Sequence, residues 1–399
     1  MRTTEVAIVG GGLAGSLAAA MLGRAGVDCM LIDPHTRYPD DFRCEKLDGA
    51  QVLLLHKTGL ADAVLRVSTP DRESWVARFG RVIEKRPGDQ EGIFYAPLVN
   101  TIRAEIPPHV PFAVAKTVSI GQSPEGKIID LSNGERVRAR LVVLANGLSV
   151  SLRDQLGLTR KIISPCHSIS IGFNMQPAGR RAFDFPAMTS YAEQPTKRAA
   201  LITMFPIGPA MRANLFVYRD MEDPWLRAVR SETQEALFDL MPSLRNTVGP
   251  FTVEGRVQVR PVDLYVTDGH RQDGIVLIGD AFSTSCPAAG TGARKALNDV
   301  ERLCNFHIPQ WLATSNMDSD KIAAFYDDPV KRACDLFSIE KAFALKAVSI
   351  GTGLRWEIRR RGKFVAQYAR GRLRSALRGK PIGRVREVSN GIRPLPEVR

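Results

Sequence analysis

The sequence predicts an α/β protein in which a parallel sheet is interleaved with a β-rich domain and followed by a helical, basic C-terminal region. Three observations lead there. The N-terminus, EVAIVGGGLAGSLAAAMLGRAGVDCMLID, is a complete strand–helix–strand unit. The runs between 112 and 144 and between 164 and 265 have the β-branched, turn-punctuated pattern of antiparallel strands. A late buried run ending Gly279-Asp280 opens through a glycine- and proline-bearing loop into another helix.

Val6 to Val9 is a short apolar run typical of a buried parallel strand, and it leads directly into Gly10, Gly12 and Gly15 in a G-x-G-x-x-G arrangement. A helix follows with Leu13, Leu17, Ala20 and Met21 on one face, Gly26 stops it, and Cys29 to Ile32 forms a second strand ending on Asp33. This Rossmann-like spacing suits dinucleotide binding. Gly10 makes the tight turn, Gly12 lets backbone amides approach a pyrophosphate, and Gly15 packs the helix close to the strand. The helix N-terminus, around Leu13 and Ala14, favours phosphate charge through its free N–H groups and dipole. Asp33 stands where a carboxylate accepts from both ribose hydroxyls.

Further along, Arg43 to Gly59 reads as a helix with Val52, Leu55 and Leu60 inward. Arg43 either reaches back to cofactor phosphates or stands in solvent as a loop arginine. Residues 64 to 95 alternate as short strands would, and Leu98 to Ile106 is a short helix ended by Pro107 and Pro108. Three strand runs from Phe112 to Leu144, broken at Ser123-Pro124-Glu125-Gly126 and Asn133-Gly134, form a meander. Its last, continuously apolar run, Leu141 to Leu144, rejoins the parallel sheet and ends at Asn146-Gly147. The first part of the nucleotide-binding domain is thus 1–163, and 164–265 is a β-sheet domain that carries the substrate. In it, His167, Ile169, Ile171 and Phe173 share one strand face and Cys166, Ser168, Ser170 and Asn174 the other. A helix from Ser231 to Leu240 and a strand from Val253 to Tyr265 close this domain. The chain then returns to the nucleotide-binding style over 266–326, and 327–399 is the basic helical end.

In that return, Gly274 to Asp280 is a buried strand ending in Gly-Asp, and the loop after it carries Pro287, Gly290, Thr291 and Gly292 before a helix that runs to Leu303. Together with the N-terminal motif, this order of motifs resembles the FAD-dependent aromatic hydroxylase family, the group A flavin monooxygenases of para-hydroxybenzoate hydroxylase fold, whose relatives include ubiquinone-type hydroxylases. The family pattern GDAAHxxxPxxGxG falls on Gly279, Asp280, Ala281, Phe282, Ser283, Pro287, Gly290 and Gly292, and its later helical Asp on Asp299. The resemblance spans roughly residues 1 to 305 in element order.

The resemblance implies FAD as cofactor. Its expected binding set is Gly10, Gly12, Leu13, Ala14, Gly15, Asp33, Arg43, Asn146, Gly279, Asp280, Pro287, Gly290, Thr291 and Gly292. Asp280 would bind the ribityl chain, Pro287 would line the flavin ring, and the helix from Gly292 would aim N–H groups at the pyrimidine edge, stabilising negative charge there. In the family NAD(P)H reduces FAD, oxygen adds to give a flavin hydroperoxide, and the distal oxygen passes to an activated, usually phenolic, ring shielded from water. The implied activity is an FAD-dependent monooxygenase hydroxylating an aromatic or polyketide-like small molecule. Two alternatives stay open: an FAD-dependent dehydrogenase or reductase acting on a lipid or isoprenoid, and a non-catalytic flavoprotein. Halogenation lacks its motif, since Trp75, Trp225, Trp311 and Trp356 are isolated.

Four positions depart from the family pattern. Asn146-Gly147 replaces an Asp-Gly used for FAD and often for NAD(P)H, Ser283 replaces a histidine, Tyr95 an arginine, and Arg294 an asparagine. The expected catalytic set is His167, Arg260 and Pro287, with Tyr218 and Tyr265 also set to touch the substrate. His167 is a proton acceptor for a phenol or else a hydrogen-bonded strand-end residue, and Arg260 a group near the flavin or else a surface ion-pair partner.

The formal net charge of +13 sits in the tail: residues 331 to 399 hold 18 Lys and Arg against 5 Asp and Glu, while the preceding 330 residues balance to zero. The body therefore needs no nucleic acid as partner, and no aromatic platform accompanies the tail arginines. Leu354, Ile358, Val365, Tyr368 and Leu377 recur at near-helical spacing among those arginines. Such a stripe packs on the body or a partner subunit, as monomer or homodimer, or lies on an anionic membrane surface. From Gly379 a flexible end is expected. The six cysteines are scattered, with no metal spacing, so a reducing, cytoplasmic setting peripheral to the membrane and no metal are expected.

Overall fold

The structure is a computed structural model that describes residues 1–378. Its first sheet is built around the strand Arg2–Val9, which lies parallel between Cys29–Asp33 and Arg136–Leu144. Phe112–Val114 extends the parallel part at one side. On the other, Arg136–Leu144 divides its free edge: its first half pairs antiparallel with Gly126–Leu131, and Val142 to Leu144 pair parallel with Ile275–Leu277. The meander's last run therefore does rejoin the parallel sheet. Strands buried on both faces need continuous apolar runs, and Val6 to Val9 and Leu141 to Leu144 supply them.

The helix Leu13–Arg24 covers this sheet and is buried on almost every side between Tyr95–Ala104 and Gly292–Arg302. Its entry demands glycine at two places. Gly10 has φ +102°, and a Cβ on Gly15 would stand 1.8 Å from the Gly10 carbonyl oxygen.

The second sheet runs in the order Phe251–Asp268, Thr159–Pro177, Ala210–Val217, Ala199–Ile207, Met188–Tyr191, Glu73–Arg78, Arg81–Pro87. The expected boundary after residue 163 falls inside its longest strand. Moreover the hairpin from Glu73 to Pro87, expected with the nucleotide-binding part, joins this sheet through parallel pairing of Trp75 with Met188. The sheet is two-faced. Ile169, Ile171, Phe173 and Met175 pack with Leu215 and Val217 against the helices Trp225–Ser231 and Thr233–Leu240, while Ser170, Thr203, Asn214 and Phe216 look toward the first domain.

Other expected boundaries shift for local reasons. The helix expected from Arg43 starts at Gly49, because Asp48 caps it: its carboxylate accepts from Gln51 N at 2.9 Å and the Gln51 side chain accepts from Asp48 N at 3.0 Å. Residues before Asp48 are extended, with Lys46–Leu47 paired to Glu91–Gly92. The helix expected over 231–240 spans Thr233–Leu240, and a separate short helix, Trp225–Ser231, precedes it.

The C-terminal region is helical, as expected. Pro329–Ile350, capped by Asp328, crosses over the second glycine-rich loop, and Leu354–Arg378 follows. The second helix touches the body through Arg78–Gln367 and through Phe364 set edge-on to Phe79, ring centres 5.1 Å apart. Leu354, Ile358 and Val365 stay exposed. The side chain of Leu377 and the flexible end expected from Gly379 lie outside the described residues.

Replacing Gly15 with alanine forces the helix off the first turn. We expect a loss of about 1–3 kcal/mol in urea unfolding, the cost of overpacking a tight site, whereas Gly26→Ala, with open space around its Cα, should cost less and only through its positive φ.

Candidate active site

The ends of four parallel strands meet at one side of the first sheet, and each delivers part of the site. Val9 leads into the Gly10–Leu13 turn, whose helix N-terminus has no side-chain cap; Leu13 N donates instead to the Tyr95 hydroxyl at 3.2 Å. Asp33, only 6% exposed, ends the next strand. Its carboxylate accepts from Gly11 N at 2.7 Å and His35 N at 2.9 Å, and pairs with Arg103 at 3.1 Å. The Arg103 guanidinium also donates to the Gly11 and His35 carbonyls, so it ties the turn to the loop beyond Asp33. Sequence reasoning missed Arg103, whose place in the last turn of its helix carries no pattern.

Another strand end, Leu277, runs into Gly279-Asp280. Asp299 holds that turn from behind: it accepts from Gly279 N at 3.0 Å and from Lys331 Nζ at 2.8 Å, with both charged side chains 1% exposed. Burial alone would lower Lys331, but the Asp299 and Asp335 carboxylates outweigh it and hold the amine charged. Asp335 also pairs with Lys295, which donates to Ser283, the residue standing where the family has histidine. A second brace comes from Tyr265, whose hydroxyl donates to the Asp280 carbonyl at 2.6 Å and accepts from the buried Arg153 at 3.1 Å. Past the turn, Gln51 Nε2 donates to the Gly290 carbonyl at 2.9 Å.

Between these cradles and the second sheet lies a cavity of about 950 Å³. Of the expected cofactor set, Gly10, Gly12, Leu13, Ala14, Asp33, Arg43, Asn146, Gly279, Asp280, Pro287, Gly290 and Gly292 line it. Gly15 and Thr291 do not: the first is a packing residue, and the second turns its hydroxyl to Ser338 at 2.6 Å, pinning the loop under the Pro329–Ile350 helix. Arg43 reaches inward rather than standing as a solvated loop arginine, donating to Asp280 at 3.1 Å and to Asp41 at 2.5 Å. Asp41 in turn pairs with Arg260 at 2.9 Å, so the cavity arginine at the second sheet is neutralised and joined to the Gly279-Asp280 turn.

His167, Tyr218 and Tyr265 are corrections, since none lines the cavity. His167 is fully buried in the middle of its strand, edge-on to Tyr218 and Phe343, with Nδ1 on Ser164 Oγ at 3.1 Å. Burial first, and then Lys346, push its imidazole down to about 4, so it is neutral at ordinary pH. Ile169, Ile171 and Phe173 of the face on which it was counted belong to the helix-covered core, whereas His167, beside the register break at 164–168, packs on Tyr218 and the Pro329–Ile350 helix; the polar face meets the cavity.

The residues fit FAD. The glycine turns open both helix N-termini to the cavity, with the Tyr95 hydroxyl the side chain that meets the first, Asp33 and Asp280 both line it, and Asn146 Oδ1 is buried without a protein partner. The FAD binding domain family matches residues 3–86 and 114–306. The chain belongs to that family. It is an FAD-dependent oxidoreductase of the monooxygenase type, and the reductase and non-catalytic alternatives lose ground to that reading. Among relatives, a 3-amino-4-hydroxybenzoate 2-monooxygenase of Streptomyces platensis is 25% identical over 74% of this chain and 77% of its own length. The 3-demethoxyubiquinol 3-hydroxylase of Escherichia coli is 25% identical over 75% and 78%. In fold, p-nitrophenol 4-monooxygenase from Pseudomonas putida superposes with a TM-score of 0.73 at 17% identity, covering 95% of this chain and 96% of that one. Among the described residues no helix is long and apolar enough to cross a membrane, and no cluster of His, Cys, Asp and Glu is arranged to hold a metal.

The buried His167 makes a pH prediction. An unfolded histidine takes up a proton near 6.5, whereas the folded one resists until about 4, so the unfolded chain binds more protons in that window. Stability should therefore fall as pH drops from 6.5 toward 4, and urea unfolding of His167→Gln should show a shallower decline.

Proposed function

We propose that this chain hydroxylates a small aromatic molecule held between the flavin and the second sheet, with NAD(P)H as electron donor. The observation that carries the reading is a cavity whose one wall is the pair of glycine cradles and whose other wall is a strand face carrying both ring-sized apolar groups and hydrogen-bonding groups. The relatives' names support an aromatic substrate.

Bound FAD supplies the electron transfer and the oxygen activation. The chain's own residues bind, orient and exclude. Gly12 and the N–H groups behind it face the diphosphate, Asp33 the adenosine ribose, and Asp280 with Arg43 the ribityl chain. The N-terminus of Gly292–Arg302 opens on the cavity at Gly292 and Ala293, where its unpaired N–H groups and dipole favour negative charge on the ring they face. Pro287 and Ala288 present apolar surface to the same space. Leu201 and Phe216 on the sheet and Leu345 and Val348 on the Pro329–Ile350 helix enclose the far end, which keeps water from the reacting centre. Arg260, compensated by Asp41, adds a fixed dipole rather than a free charge.

The test is stopped-flow on the purified yellow protein. With an aminohydroxybenzoate present, NADH or NADPH should bleach the flavin anaerobically, and readmitted ¹⁸O₂ should place one labelled oxygen in the product. Bleaching by neither nicotinamide would remove them as donors, and a product without label would sink the hydroxylase reading.

A peripheral contact with an anionic membrane belongs to this proposal as its second part. It is supported by exposed Leu354, Ile358 and Val365 interspersed with Arg355, Arg359 and Arg361 on the tail helix. The full chain should cosediment with phosphatidylserine-containing vesicles and not with neutral ones; equal behaviour toward both would refute it.

A further inference from the structure

The floor of the cavity is one face of the second sheet, and strand register sets its side chains in rows. Leu201, Phe216 and Ser170 stand opposite one another in one row; Thr203, Asn214 and Gly172 form the next. Ser170 is 5% and Asn214 8% exposed, both line the cavity, and Ser170 Oγ and Asn214 Oδ1 have no hydrogen-bond partner. Buried polar atoms are normally paired, so two orphans on one wall mark places where a ligand completes the bonding. As diagonal neighbours across paired strands, the two residues stand about 7–8 Å apart, a span that an aromatic ring with its substituents bridges.

Asn214 is not free to turn. Its neighbour Glu45, 3% exposed, is gripped by the Arg212 guanidinium through two bonds, at 2.7 and 3.0 Å; burial pushes its carboxyl up, while Arg212 and the adjacent Asn214 side chain favour the ionised form. An ionised carboxylate only accepts, so the Asn214 amide turns Nδ2 to Glu45, and Oδ1 is left without a protein partner on the cavity wall. The adjoining Gly172 offers no side chain to occupy that oxygen; a Cβ there would stand 2.4 Å from the Phe42 ring, which fills the space instead.

We infer that Asn214 and Ser170 determine specificity at the proposed hydroxylation site by reading an amino or hydroxyl substituent on the aromatic ring, with Glu45 and Arg212 as positioning residues. This rests on the aromatic-substrate reading above. Asn214 Oδ1 accepts the substrate's N–H or O–H, and Ser170 Oγ bonds a second polar substituent or the far side of the same one. The substrate class is thus an aromatic amine or phenol, and a ring whose corresponding substituent is methyl is rejected because the oxygen is left unpaired.

The experiment is a titration of the purified holoenzyme, followed by perturbation of flavin absorbance, with 4-aminobenzoate and with its isostere 4-methylbenzoate. The wild-type protein should favour the amine by about tenfold or more, the usual penalty for stranding a buried polar group. Asn214→Leu should bring that ratio close to one by weakening the amine alone, and Ser170→Ala should reduce it in part. Equal binding of both ligands to the wild type, or a ratio that survives Asn214→Leu, overturns the inference while leaving the aromatic reading intact. If no aromatic perturbs the flavin or is consumed, both fall. Should Asn214→Leu emerge without flavin, Asn214→Thr and Ser170→Ala decide by the same ratio.

Discussion

Parallel pairing at one sheet edge is the constraint on which the rest of the molecule depends. Val9 stands beside Ile32 on one side and Leu144 on the other, and Leu144 beside Leu277, so segments far apart in the chain stop at the same level and turn toward the same space. In open parallel sheets the crevice beyond the carboxyl ends of the strands is where ligands bind. Here that crevice receives Gly10 to Ala14 from one strand end, Asp33 from the second, Asn146 from the third and Asp280 from the fourth. A register shift of one residue in any of them would misplace a cradle, and the buried apolar runs on both faces resist such a shift.

The second sheet answers a different demand. It must bury one face in a core of its own and still present a polar, partly apolar floor to the cavity, and strict alternation along Thr159–Pro177 and Ala210–Val217 meets both needs. Enclosure is completed by chain that comes from elsewhere: the 42–48 segment settles on Gly172 and Arg212, and the helix Pro329–Ile350 closes the opposite side. Function is therefore distributed over the whole chain rather than lodged in one domain.

What was legible in the sequence were features that a local backbone demand imposes. Gly10 at positive φ, Gly15 against a carbonyl, a buried run before Asp33 and another before Gly279-Asp280 all announce themselves, and the parallel course of Leu141 to Leu144 followed from its unbroken apolar character. Features that depend on partners remote in sequence were not. The hairpin Glu73 to Pro87 alternates in the same way whichever sheet it joins, and its choice rests on Trp75 meeting Met188. The face of the 159–177 strand turned to the cavity was misjudged because an apolar face carrying one histidine looks like a pocket wall, whereas Ile169 to Phe173 pack into a core and a register break at 164–168 sets the histidine apart, against Tyr218 and Phe343. Arg103, Arg153 and Lys331 are single charges in sequence and acquire meaning only against Asp33, the Asp280 turn and Asp299.

The Lys331 to Asp299 contact has a bearing on how the protein comes to exist. The turn that would hold the ribityl chain is braced by a carboxylate whose counter-charge lies on the following helix, and burial of one without the other is strongly unfavourable. During synthesis the first glycine turn leaves the ribosome long before that lysine is made. The nascent chain must therefore wait, its flavin pocket half assembled, until its last third has emerged and docked.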